Sequence, residues 1–250
     1  MFRQLPPVTK NVIIINLIIW LFMFISPGIY QNIMTYGALH YVSAPKFIPT
    51  QLFSYMFMHS TEGIGHVFFN MFTLFFFGNA LERTLGSGRF LFYYISCGIG
   101  AALIQECVWA MTWVHSFCEW YGHATGLTSS TVRLMLDQSM ATGLGMETVN
   151  SYLDNAMLTI GASGAIYGIL LAFAMIYPNA PMYLFLIPVP IKAKWMVIGF
   201  VVIELLMGLS SAAGLVDGIA HFAHLGGMIF GFFMIWYWKK HGNLNNNFYS

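Results

Sequence analysis

Charge is what this sequence has least of. Lys, Arg, Asp and Glu make up 8% of its 250 residues, against roughly 25% in a soluble domain. With 58% of the residues hydrophobic, an ordinary core has no room for the apolar surface, whereas a bilayer accepts runs of about 20 apolar residues as spanning helices. A water-soluble fold is excluded on that ground. The net charge of +1 offers nothing to nucleic acid or to an acidic partner. Cysteine is scarce as well. Cys97, Cys107 and Cys118 form no CxxC pair, so neither a zinc site nor a disulfide framework is indicated. There is no HExxH segment, no internal repeat and no low-complexity tract. The apolar run from Val12 to Ser26 also lacks a clean A-x-A-type cleavage site after it, and further hydrophobic segments follow, so it is read as a membrane anchor rather than a signal peptide.

What is present is a series of apolar runs broken by charge, Pro and Gly. They predict an all-α membrane protein with spans at about 11–27, 64–82, 89–110, 157–177, 194–211 and 218–238, forming one domain over 1–250. Arg3, Lys10, Arg83, Arg89, Lys192, Lys194, Lys239 and Lys240 then fall on one side, and only Lys46 and Arg133 on the other. By the positive-inside rule both termini are cytoplasmic. Two outer connections are long. The one at 28–63 carries the aromatic stretch Leu52 to Met58, too short to span and suited to the interface or to packing on the bundle. The one at 111–156 is rich in Gly, Ser and Thr and includes a short helix predicted from Thr131 to Met140.

Chemistry has few places to sit. The fourth span opens Gly161-Ala162-Ser163-Gly164, and Gly164 and Gly168 stand four apart, the spacing that lets transmembrane helices approach closely. Packing is therefore one reading of this segment. The sixth span holds His221 and His224 in an apolar helix, and ionisable residues inside a membrane are functional candidates by default. An imidazole can take a proton from a serine hydroxyl and return it to a leaving amine. Spans two, four and six enter from the same outer side, which sets His66, Ser163 and His224 at matched depth. His66 and Asn70 share one helix face. With the Ser163 N–H they are suitable donors to the oxyanion formed when a carbonyl is attacked. Tyr167, one turn after Ser163, is placed to buttress an imidazole or to pack.

In four places these residues resemble the rhomboid intramembrane serine proteases. The segment His66-Val67-Phe68-Phe69-Asn70 is similar to the family's HxxxN, Gly161-Ala162-Ser163-Gly164 to its GxSG, and Ala223-His224-Leu225-Gly226-Gly227 to its catalytic-histidine segment. Glu82 to Gly88 resembles the turn after its second helix. The resemblance implies a six-helix bundle in which Ser163 and His224 form a dyad without a third acid. It further implies that His66 and Asn70 help hold the oxyanion with the Gly161 segment, and that Tyr167 lies beside the histidine. No cofactor and no metal are implied. The partners are transmembrane protein substrates and the lipid bilayer itself. The expected location is a bacterial inner membrane, with the active site opening to the outer side. The chain departs from the pattern in lacking the Trp-Arg pair of the first outer loop, and in placing His59 seven residues before His66. His221, one turn from His224, is read as a polar group at the water-facing mouth.

Three other readings are weighed against this one. A heme or metal protein would use His66, His221 and His224, yet leaves Ser163 and Asn70 without a role. A transporter would use Glu106 and Glu204, each of which also reads as a packed or water-reaching group near a helix end. A non-proteolytic rhomboid-like protein that binds membrane clients would be expected to lack the dyad.

Overall fold

Pro7 opens the first helix, where its missing N–H costs nothing, and α1 runs Pro7–Ile25. This computed structural model describes residues 5–184, 187–212 and 219–242; Arg3, Gly214 and the expected start of the sixth span at 218 lie outside them. The first turn of α1 is capped from a distance. The Glu82 carboxylate accepts from Val8 N at 3.0 Å and from Thr9 N and Oγ1 at 2.7 Å each, and from Ser87 Oγ at 2.7 Å. A negative charge at a helix N-terminus is where the macrodipole favours it. The expected turn at Glu82 to Gly88 is thus also a clamp on the start of α1.

The chain continues as α2 (Pro27–Gly37), β1 (Leu39–His40), α3 (Gln51–Ser54) and a tight turn over Tyr55–Phe57. Tyr55 and Met56 are buried, so the aromatic stretch packs on the bundle. Next come α4 (Ile64–Thr73) and α5 (Asn79–Leu85), joined without a break by one wide π turn over Leu74–Gly78. Then follow α6 (Ser87–Thr125), α7 (Ser129–Thr142), α8 (Met146–Ala156), β2 (Leu158–Thr159), α9 (Ser163–Ile176), β3 (Pro181–Leu184), β4 (Ile187–Lys192), α10 (Ala193–Ala212) and α11 (His221–Lys240). The short strands form two antiparallel pairs, β1 with β2 and β3 with β4, so the fold is mostly helical rather than all-α.

Each apolar segment read from the sequence contains a helix, but several ends differ. Of the described residues, Pro7–Ile25, Ile64–Leu85, Ser87–Thr125 and Ala193–Ser211 are helical, long and apolar enough to cross a membrane, and Ser163–Ile176 is a shorter apolar helix. The helix of the third span does not stop near 110. No Pro interrupts it, and α6 runs 39 residues to Gly126, whose φ of 73° ends it with an N–H bond to Gly122 O. What reads as a loop over 111–156 is therefore the end of α6 plus α7 and α8. The predicted helix from Thr131 to Met140 lies within α7. These pieces share a core of Phe117, Cys118, Val132, Leu136, Val149, Tyr152 and Leu153. The fourth span begins later than expected, because Gly161 has a φ of 130° that no helix accepts, leaving α9 with 14 residues.

Large apolar side chains cover the outside as well as the inside. Ile18, Phe22 and Phe24 of α1, Phe68, Phe69 and Phe72 of α4, Val202, Leu206 and Leu209 of α10 and Phe233 of α11 are all exposed. A belt of that kind is stable against lipid tails and not against water. The chain is an integral membrane protein.

Small residues bring α6, α9 and α11 together. A Cβ placed on Gly227 would stand 1.8 Å from the backbone oxygen of Gly164, so backbone meets backbone where α11 crosses α9. Backbone cannot swing aside as a flexible side chain can. Gly227→Ala is accordingly expected to destabilise the fold by about 3 kcal/mol or more, read as a lowered Tm in detergent. Gly199→Ala, with nothing within 4 Å of its added Cβ, should leave Tm unchanged or raised. Equal Tm values for the two variants would refute a tight α9–α11 crossing.

Candidate active site

Ser163 is the first residue of α9, and His224 lies in the first turn of α11. The glycine crossing sets their separation, and His224 Nε2 sits 2.8 Å from Ser163 Oγ. Tyr167 lies one turn along α9 from Ser163. Its ring stacks on the His224 imidazole at 4.2 Å between centroids and 8° between planes.

The far side of the imidazole is occupied too. Its Nδ1 is 2.9 Å from Oε2 of Glu204 on α10. The Tyr167 hydroxyl donates to Glu204 Oε1, and His221 Nδ1 is 2.7 Å from the same Oε2. The resemblance implied no acid behind the histidine, and here a carboxylate stands there. Glu204 is 5% exposed and in mid-helix, neither water-reaching nor near an end. His221 is 5% exposed, bound to that carboxylate, and at the wall of a cavity. Among the described residues, Glu204, His221 and His224 are the one group whose metal-ligating atoms lie within 4.8 Å of one another. All three of those atoms are already engaged in the hydrogen bonds just given. His66 is not part of this group, so His66, His221 and His224 do not come together as one set of ligands.

His66 and Asn70 approach the serine from α4. Ser60 N–H donates to His66 Nδ1 in a long bond of 3.4 Å, which leaves the ring proton on Nε2, facing Gly161. A Cβ on Gly161 would lie 2.9 Å from His66 Nε2 and 3.6 Å from Ser163 Oγ. The glycine therefore keeps open a point within hydrogen-bond reach of a donor and beside the hydroxyl. Its own N–H is held by Tyr55 O at 3.0 Å. Asn70 spends one amide hydrogen on His66 O at 2.8 Å, which leaves its other amide hydrogen for a second acceptor. As the first helical residue, Ser163 has an N–H with no partner one turn back. His66, Asn70, Ser163, Tyr167 and His224 all line one cleft of about 710 Å³, together with Phe69, Phe200 and Ile219. A second cavity, of about 860 Å³, is lined by His115, Glu119, Tyr152 and His221, and Ile219 and Ala220 border both.

The chain matches the family model described as the Rhomboid domain over residues 48–241. It belongs to the rhomboid family. It is 26% identical over 181 residues to the yeast (Saccharomyces cerevisiae) protein named Rhomboid protein 1, mitochondrial, a stretch that is 72% of this chain and 40% of that one. The chain thus spans about two fifths of the length of this curated relative. His59, before α4, has a setting of its own. His59 is fully buried in the segment before α4, its ring edge-on to His66 at 5.0 Å between centroids, and neither ring nitrogen has a protein hydrogen-bond partner.

Burial, and secondarily the neighbouring His66, push the His59 pKa from its ordinary 6.5 to about 3. The unfolded chain then binds the extra proton first, so the stability that neutral His59 contributes is complete above about pH 6.5 and is lost as pH falls toward 3. Replacing His59 with Leu, which is close to it in volume, should flatten the fall of Tm between pH 6.5 and pH 4. Thermal unfolding across that range checks it, and parallel curves for variant and wild type would count against the assignment.

Proposed function

We propose that this rhomboid protein is an intramembrane serine endopeptidase that hydrolyses peptide bonds in or beside the transmembrane segments of other membrane proteins. The observation that carries the reading is the 2.8 Å approach of Ser163 Oγ to His224 Nε2 at a cleft also lined by the His66 and Asn70 side chains. Ser163 attacks the substrate carbonyl carbon as its proton passes to His224. His66 Nε2–H, Asn70 and the Ser163 N–H hold the resulting oxyanion beside Gly161. The C–N bond then breaks with that proton going to the leaving amine, and His224 next takes a proton from the water that attacks the ester and returns it to Ser163 Oγ as the Oγ–C bond breaks. Tyr167 keeps the imidazole plane in place.

The proposed topology has six spans with both termini cytoplasmic, in a bacterial cell membrane with the cleft opening outward. That α9 is short fits the cleft, since non-helical backbone at membrane depth is tolerated where it lines a cavity. The substrates are single-span proteins with a small residue at the scissile bond, as the resemblance implies. The test is purified protein in liposomes with a single-span model substrate, alongside stoichiometric capture of Ser163 by a fluorophosphonate. Cleavage at one bond together with capture supports the reading. A folded wild type that neither cleaves a panel of such substrates nor is captured would overturn it in favour of client binding without proteolysis.

A further inference from the structure

We infer that Glu204 is a positioning acid, making a Ser163-His224-Glu204 triad where the family resemblance implies a dyad; this rests on the protease reading above. An ionised carboxylate can only accept hydrogen bonds. Oε1 takes the Tyr167 hydroxyl, and Oε2 takes both imidazoles through their Nδ1 atoms, at 2.7 Å from His221 and 2.9 Å from His224. Both histidines must therefore carry hydrogen on Nδ1. For neutral His224 that leaves Nε2 bare, which is the tautomer able to receive the Ser163 proton. The opposite tautomer would point an N–H at the hydroxyl and could not act as a base.

The carboxylate does not depend on His224 for its own position. Tyr167 and His221 hold it from two other directions, so it can orient the ring rather than follow it. Its location is costly in any other role. It is the one acid in a span whose neighbours Val202, Ile203, Leu205, Leu206 and Leu209 are exposed apolar residues, and it alone of these points inward, 5% exposed. When the Oγ–C bond forms and the Ser163 proton reaches Nε2, the imidazolium stands against a carboxylate already in place. Glu204 stays ionised throughout and exchanges no proton with the substrate.

The experiment compares wild type, Glu204→Gln and Glu204→Asp in liposomes, measuring kcat, KM, the rate of fluorophosphonate capture at Ser163, and Tm. Gln keeps the size but offers an N–H₂ that can donate to Nδ1 and stabilise the wrong tautomer. Glu204→Gln is expected to lower kcat and the capture rate together by about a hundredfold at unchanged KM, with Asp recovering a substantial part. In ¹⁵N-labelled wild type, the His224 signals should report hydrogen on Nδ1 and a bare Nε2, a readout that needs no variant to fold. A folded Glu204→Gln protein with kcat within about threefold of wild type, or hydrogen found on Nε2 of resting His224, would overturn the inference while leaving the protease reading intact. A wild type without cleavage or capture would instead mark the failure of that reading.

Discussion

Ser163→Ala and His224→Ala are each expected to lower cleavage of a single-span substrate by about 10⁴-fold or more, and the double variant should lose no more than either alone. The reason is that the two side chains perform one act. A serine hydroxyl without a base to take its proton is a poor nucleophile, and a base without the hydroxyl has nothing to activate. The contact between them is 2.8 Å and spans two helices, so either truncation removes the whole device. Ser163→Ala is nearly isosteric and preserves the small residue that α9 presents to its neighbours, so Tm should hold. That separates chemistry from packing, the two readings that the segment Gly161 to Gly168 leaves open. Initial rates with quantified substrate decide the matter. Independent, multiplicative losses in the double variant would mean that the two residues do not act as a unit, and full activity in Ser163→Ala would remove the serine mechanism.

Gly161→Ala should lower kcat by about 10³-fold through two effects at one position. The backbone there has a φ of 130°, which L side chains rarely adopt, a strain of about 1–3 kcal/mol. The added methyl would also stand 2.9 Å from His66 Nε2, in the space assigned to the oxyanion. Combining Gly161→Ala with His66→Ala should cost little beyond Gly161→Ala alone, since the donor is already blocked. Wild-type kcat in a folded Gly161→Ala protein would show that the oxyanion lies elsewhere.

Much of this arrangement can be read from residue order. His66, Asn70, Ser163, Tyr167 and His224 are picked out by polarity in apolar helices, by spacing and by entry from one side, and they line a single cleft. What the sequence hides are features that hydropathy does not register. The start of α9 depends on the backbone angle at Gly161, not on apolar content. The length of α6 is missed because the stretch after Met111 mixes polar residues with aromatics, while no Pro stops the helix before Gly126. Glu204 is different, because its signal was available. A lone carboxylate in an apolar span is as conspicuous as the histidines, but nothing in the one-dimensional order says that α10 turns it toward α11.

The 39 residues of α6 amount to about 58 Å of unbroken helix, against a hydrocarbon layer of about 30 Å. In mechanical terms it is a lever with one arm in the bilayer and one outside. The outer arm carries α7 and α8 through the core around Phe117, Val132 and Tyr152. The inner arm bears on α9, where Ala101 is so close to Gly164 that an added Cβ would come within 2.5 Å. Whatever grips the outer helices is therefore joined by a single stiff rod to the residue that follows Ser163.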